Sequence, residues 1–222
     1  QLRKRAGTSA TDGTFYNNTV IENLVIDDGV LIGNANGKTD GDNQSGLSAF
    51  SGMTNLQTLV GNPPMAISQE AFNNTTMLTS DVDLSKMHGS FDKAFYRSSA
   101  NASGDITNCT IMRDAFNGNT TITNIGNISG AITNFQRAFQ GCANLQTVGE
   151  IFSSSTNCAF TYMFDGCVNL RGTIRVNANS TGAWSNAFRN CDLSAITIEV
   201  PEGSNTYTKI LEAYPTANVT TF

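Results

Sequence analysis

A two-residue phrase, Ala-Phe, returns along this chain at nearly constant intervals, and that recurrence limits the fold more than any other feature. It stands at Ala49-Phe50, Ala71-Phe72, Ala94-Phe95, Ala115-Phe116, Ala138-Phe139 and Ala187-Phe188, with Met163-Phe164 in the same slot. From Phe to Phe the steps are 22, 23, 21, 23, 25 and 24 residues. Units of this size cannot bury an apolar face alone, so they must stack on their neighbours.

The residues around each anchor repeat with it. Leu56, Leu78, Ile122, Leu145 and Leu170 follow their anchors by six positions, and Leu193 follows by five. Further on come Leu59; Val82 and Leu84; Ile125 and Ile128; Val148 and Ile151; Ile174 and Val176; and Ile196, Ile198 and Val200. These tails read as short strands, clearest in the period-two alternation of the last set. Upstream, Phe91 precedes Phe95 by four, as Met112 precedes Phe116, Phe135 precedes Phe139, Phe160 precedes Phe164 and Trp184 precedes Phe188. An i, i+4 apolar pair predicts one face of a helix. The expected fold is therefore an α/β repeat solenoid over 47–200, with about seven short helix-turn-strand units and a parallel sheet. The unit after Phe95 offers only Ile106 as a strong strand residue, which predicts a distorted rung.

A stack needs covered ends. Within an N-terminal extension, 1–46, Thr19 to Ile26 and Val30 to Ile32 flank Asp27-Asp28-Gly29, which predicts a capping β-hairpin. Asp40, Asp42 and Asn43 are oxygen donors near glycines, but no Glu stands at the twelfth loop position, so the segment reads as loop rather than calcium site. At the other end Pro201 stops the last strand. Asn205 to Tyr214 then predicts a helical cap within 201–222, with Tyr207, Ile210, Leu211 and Tyr214 on one face and Pro215 after it.

Phe135-Gln-Arg-Ala-Phe-Gln-Gly-Cys-Ala-Asn-Leu-Gln-Thr-Val148, then Phe160-Thr-Tyr-Met-Phe-Asp-Gly-Cys-Val-Asn-Leu170, resemble the BspA-like, treponemal-type leucine-rich repeats. Ile196-Thr-Ile-Glu-Val-Pro201 and the Tyr-containing segment after it are similar to that family's exit, so the likeness runs from about residue 47 to 215. The resemblance implies a right-handed solenoid with a parallel sheet. It also implies the settings where such repeats occur: bacterial surface and secreted proteins, protozoan surface proteins and phage structural proteins, often acting as adhesins. Units two and three depart from the pattern by lacking the Cys.

The sequence offers little to catalysis. His88, the only histidine, lies in Ser85-Lys-Met-His-Gly-Ser90 and reads as an exposed loop residue. Asp81 and Asp83 would share one strand face, which does not make a facing acid and base pair. No phosphate-cradling glycine loop of the GxxxxGK[ST] form occurs. Five cysteines cannot all pair within one chain. Cys142, Cys167 and Cys191 each fall three residues after an anchor, predicting a ladder of small buried side chains, with a disulfide only if the Cα atoms come within reach. Neither Cys109 nor Cys158 completes a zinc spacing. The reading is of no enzyme, no cofactor and no metal.

Charged residues are 14% of the chain, against roughly 25% in soluble domains, and neutral Asn, Thr, Ser and Gly take their place. A net charge of −5 argues against a nucleic-acid partner. Arg3, Lys4 and Arg5 form the only basic cluster and read as a solvated terminus, with a processing site as the second reading. No apolar run of about 18 residues marks a membrane span, and no signal-peptide pattern appears. The expected function is a recognition or adhesion module, extracellular and displayed on a cell or virion surface, binding a protein or glycan. The face expected to bind is the exposed sheet: Gln57, Thr58, Thr79, Thr123, Asn124, Gln146, Thr147, Arg171, Thr173 and Thr197. The alternative expectation is a structural component, in a phage capsid, tail or surface layer, that assembles as a homo-oligomer with identical copies.

Overall fold

The computed structural model describes residues 15–26, 49–61, 65 and 68–222. Among them the strands, in chain order, are β1 (Asn23–Val25), β2 (Thr58–Val60), β3 (Asp81–Asp83), β4 (Gly89–Ser90), β5 (Asn101–Ser103), β6 (Ile106–Ile111) and β7 (Asn124–Ile125). They continue with β8 (Ile128–Gly130), β9 (Thr147–Val148), β10 (Ile151–Ser153), β11 (Gly172–Ala178), β12 (Ile196–Val200) and β13 (Val219–Thr221). One α-helix, α1 (Asn205–Ala213), stands before the last strand.

Among the described residues every strand pairing is parallel, as expected for stacked repeats. β13-β12-β11-β10-β8-β6-β4 form a seven-stranded sheet. The pairs β1-β2, β3-β5 and β7-β9 form a second, shorter column, and β9 lies against β11. Each unit thus bends its strand region into two segments, which are fused only in β11 and β12.

The core is a column of rings. Phe15, Phe50, Phe72, Phe95, Phe116, Phe139, Phe164 and Phe188 stack face to face, with neighbouring centroids 5.7, 5.1, 5.1, 4.9, 5.3, 5.4 and 5.5 Å apart. That spacing is close to the roughly 4.7–4.9 Å between hydrogen-bonded strands, so each rung contributes one ring to the column. Phe135, Phe160 and Trp184 make a second column at 5.3 and 4.1 Å. The alanines before the anchors are buried and leave room for neighbouring rungs to close up.

The anchor segment differs from the expected helical turn. Ala94 N–H donates to the oxygen of Phe91 at 2.9 Å, and Ala115, Ala138 and Ala187 make the same three-residue bond within their units. The residue inside each turn is left-handed: Lys93 at φ 54°, Asp114 at 54°, Arg137 at 56° and Asn186 at 57°. An α-helix cannot run through such a residue. Alternate N–H groups point sideways to the next rung, as in Phe72 to Ala94 (2.7 Å), Phe95 to Ala115 (2.6 Å) and Phe116 to Ala138 (2.7 Å). Phe91 and Phe95 are both buried, as the i, i+4 pairing demanded, but turns supply the geometry.

The expected distorted rung is complete. Asn101, Ala102 and Ser103 pair with Asp81, Val82 and Asp83, and buried Ala100 and Ala102 fill inward slots that larger apolar residues fill elsewhere. Its irregularity lies further on, where the register shifts between Ile106 and Cys109 and Asn108 is left-handed at φ 55°.

Both ends carry an extra rung that the sequence did not announce. Phe15 stacks on Phe50, and its N–H donates to the oxygen of Ala49 at 3.1 Å, placing residue 15 in the anchor column. The first arm of the expected hairpin is present as β1, paired in parallel with β2. Its second arm, Val30 to Ile32, lies outside the described residues, as do the loop carrying Asp40, Asp42 and Asn43 and the basic cluster Arg3 to Arg5. At the other end α1 forms as expected, capped by Ser204 accepting from Tyr207 N–H. Its buried residues are Thr206 and Ile210, with Tyr207 and Tyr214 packed on the core; Leu211 is only half-buried and lies outside that cluster. Thr206 Oγ1 donates to the oxygen of Ala178 at 2.7 Å, a tie invisible to an apolar pattern. After the helix the chain returns as β13 beside β12.

Candidate functional site: the polar face of the short-strand column

In a short strand flanked by buried apolar residues, alternate side chains must point outward. Leu59, Val82, Ile125 and Val148 are buried, so their neighbours Thr58, Asp81, Asn124 and Thr147 face solvent. Parallel register then sets like positions beside one another: Asn23 beside Thr58, Asp81 beside Asn101, Asn124 beside Thr147, and Thr173 beside Thr197.

These neighbours bond across the rungs. Thr58 Oγ1 donates to Asn23 Oδ1 at 2.6 Å, Asn101 Nδ2 to Asp81 Oδ1 at 2.6 Å, and Thr147 Oγ1 to Asn124 Oδ1 at 2.7 Å. Asn124 Nδ2 also donates to Thr123 Oγ1 at 3.0 Å, and Asn218 Nδ2 to Thr197 Oγ1 at 2.8 Å. Along the edge of the same face Thr79 Oγ1 donates to the Gln57 oxygen at 3.1 Å, and Arg171 donates to Gln146 Oε1.

None of the ten residues proposed for this face is buried. Gln57, Thr79, Thr123, Asn124, Thr147, Arg171 and Thr173 are exposed, and Thr58, Gln146 and Thr197 are half-buried. The structure brings them into one surface with Asn23, Asp81, Asn101 and Asn218, which sequence reasoning left out. Asn23 falls in the arm expected for a hairpin, and Asn101 in the unit expected to be distorted. Only strand register shows that they continue the row.

The residues weighed for chemistry fall elsewhere. His88 is exposed, and its backbone oxygen accepts from Ser68 N–H and Oγ at 3.2 and 3.0 Å. Asp81 and Asp83 share the outer face of β3 as expected. Asp83 caps a short turn by accepting from Ser85 N–H and Oγ at 3.0 and 2.6 Å. Among the described residues no group of three His, Cys, Asp or Glu could hold a metal ion, and no helix is long and apolar enough to cross a membrane. The face is mostly an array of amides and hydroxyls, joined by the Asp81 carboxylate and the Arg171 guanidinium, and linked by hydrogen bonds.

The family model for the BspA type leucine rich repeat region matches residues 91–210 in six copies. No curated protein and no solved structure matches the chain.

Proposed function

Because the chain belongs to the BspA-type leucine-rich repeat family, we propose that it is a surface-displayed recognition module whose short-strand face binds a protein or glycan partner. In general, a repeat region of this type is a protein-interaction and adhesion module. The observation that carries the finer reading is the cross-rung hydrogen bonding between Asn124 and Thr147, repeated by Thr58 with Asn23 and by Asn218 with Thr197. Side chains held this way lose little further freedom on binding, which lowers the entropic cost of recognition. A mostly uncharged face recognises its partner through hydrogen bonds, so binding depends only weakly on salt.

The test introduces charge at the centre of the face with Thr123→Asp, Thr147→Asp and Thr173→Asp, and compares partner capture on protein and glycan arrays. Capture is expected to fall about tenfold or more, with the fold intact by circular dichroism. Capture unchanged in the triple variant removes this face as the binding surface.

A further inference from the structure

β13 is the outermost strand of the seven-stranded sheet, and among the described residues no strand pairs with its far side. Ile198 N–H donates to the oxygen of Asn218 at 2.9 Å, Phe222 N–H to that of Val200 at 3.1 Å, and Glu202 N–H to that of Phe222 at 3.2 Å. The even-numbered residues along β13 therefore face β12. In a parallel ladder the residues between them turn both backbone groups the other way, so Val219 and Thr221 present N–H and C=O outward. Edge strands usually carry a lysine, a proline or a bulge that keeps other chains off. β13 carries none of these, and residues 213–222 hold no charged side chain. Its short length is the one safeguard left, and that makes any pairing weak rather than absent.

We infer that this edge pairs with β13 of a second copy, run antiparallel about a twofold axis at Thr220. Only an extended backbone offers alternating donors and acceptors to such an edge, and this strand is complementary to itself. An axis at Thr220 sets Val219 of each copy opposite Thr221 of the other, so every outward residue exchanges N–H to oxygen bonds. An axis at Val219 would instead set Thr221 against Ala217, whose N–H is already given to the oxygen of Tyr214 at 3.1 Å. At the Thr220 axis two threonines meet with Cα atoms about 4.5 Å apart, a favourable cross-strand pair. Glu199, beside Thr220 on β12, is held by Arg175 at 3.8 Å, so the two copies bring no unpaired charge together there. Phe222, 42% exposed over the Arg175 guanidinium, falls opposite Asn218 of the second copy and gains cover. The contact uses the sheet edge and stands apart from the strand-face reading.

Sedimentation equilibrium of the full chain from about 5 μM to about 1 mM, with amide exchange read by NMR, tests the inference. A dimer with a dissociation constant of about 0.1 mM is expected, because a short edge supplies few contacts. The Val219 and Thr221 amides should exchange more slowly as the dimer fills. Thr220→Lys sets like charges face to face, and Thr221→Pro removes an outward N–H while leaving the bonds to β12 intact. Each is expected to weaken the dimer about tenfold or more, whereas Thr220→Ser should dimerise like the parent. A parent that stays monomeric at the highest concentration overturns the inference, even where an added extended peptide slows the same amides, because the edge then takes a foreign strand. It is overturned equally if Thr220→Lys or Thr221→Pro dimerises as the parent does, or if masses climb past the dimer, since a twofold edge contact closes on itself.

Discussion

The thiol of Cys142 donates a hydrogen bond to the backbone oxygen of Phe116, one rung back, at 3.0 Å. Cys167 repeats it to Phe139, and Cys191 to Phe164, each at 3.0 Å. In earlier rungs the same slot holds Thr75 and Ser98, whose hydroxyls bond each other at 2.6 Å. From the second anchor onward the slot thus holds a side chain with a donor, Asn119 included, while after Phe50 it holds the buried Met53; the five cysteines are all free.

The thiols are expected to resist alkylation in a graded order. Burial raises Cys142 and Cys167 far above the ordinary thiol range, pushes Cys109 and Cys158 up to about 12, and Cys191 only to about 11. Thiolate is the reactive form, so Cys191, half-buried, should react first with iodoacetamide in the native state, and Cys142 and Cys167 last. Mass spectrometry of peptides at successive times reads the order. Early labelling of Cys142 would show that the slot is not sealed.

Removing one ring from the column should be costly. Phe116 lies 4.9 Å from Phe95 and 5.3 Å from Phe139, and it is fully buried. Phe116→Ala is expected to lose about 3–5 kcal/mol in urea unfolding, from lost transfer energy and the cavity left behind. A loss under about 1 kcal/mol would mean that the column relaxes to fill the gap.

Two glycines separate backbone strain from steric exclusion. Gly141 is left-handed at φ 73°, and a Cβ there meets nothing closer than Gly118 Cα at 3.8 Å. Gly141→Ala should thus cost only about 1–2 kcal/mol, the penalty of the conformation itself. At Gly130 a Cβ would fall 2.0 Å from the oxygen of Cys109, in the neighbouring strand. Gly130→Ala should cost clearly more and loosen the β6-β8 pairing, visible as faster amide exchange around Cys109. Equal midpoint shifts for the two variants would contradict this distinction.

Acid should weaken the turn row. The Arg189 hydrogen bonds lower the Asp165 carboxyl against the effect of burial. At Asp114 burial alone would raise the carboxyl, but hydrogen bonds from Arg137 and Asn117 outweigh it and the net shift is down. Folded values below the unfolded carboxylate range, about 3.9, mean a contribution that is complete above that range and lost as pH falls through the folded values. The partner arginines are substantially exposed, so solvent screening keeps each contribution modest. The urea midpoint of the parent should fall below about pH 4 more steeply than that of an Asp114→Asn, Asp165→Asn variant. Parallel curves would show that these carboxylates do not report on folding.

Much of this was readable in residue order. The seven anchors beginning at Phe50 all lie in the ring column, and Leu56, Leu78, Ile122, Leu145 and Leu170 are all buried. Phe15 escaped because it stands 35 residues before Phe50, outside the period. β13 escaped because a helix followed by Pro215 reads as an ending. Aligning the repeats placed the ten polar residues on the expected exposed sheet face. It could not reveal that Asn23, Asp81, Asn101 and Asn218 extend the same row.

The sequence by itself determined that this chain stacks, with what period, and which side chains go inside, because burial of a repeated apolar set depends on spacing alone. The tertiary structure decided the path between strands. Phe91 and Phe95 satisfy a helical period, yet their backbone N–H groups bond to Ile111 and Ala115 of the next rung rather than along the segment. A backbone donor has one place to spend its hydrogen, and a neighbour that supplies an acceptor for every rung turns a would-be helix into a left-handed-kinked turn row.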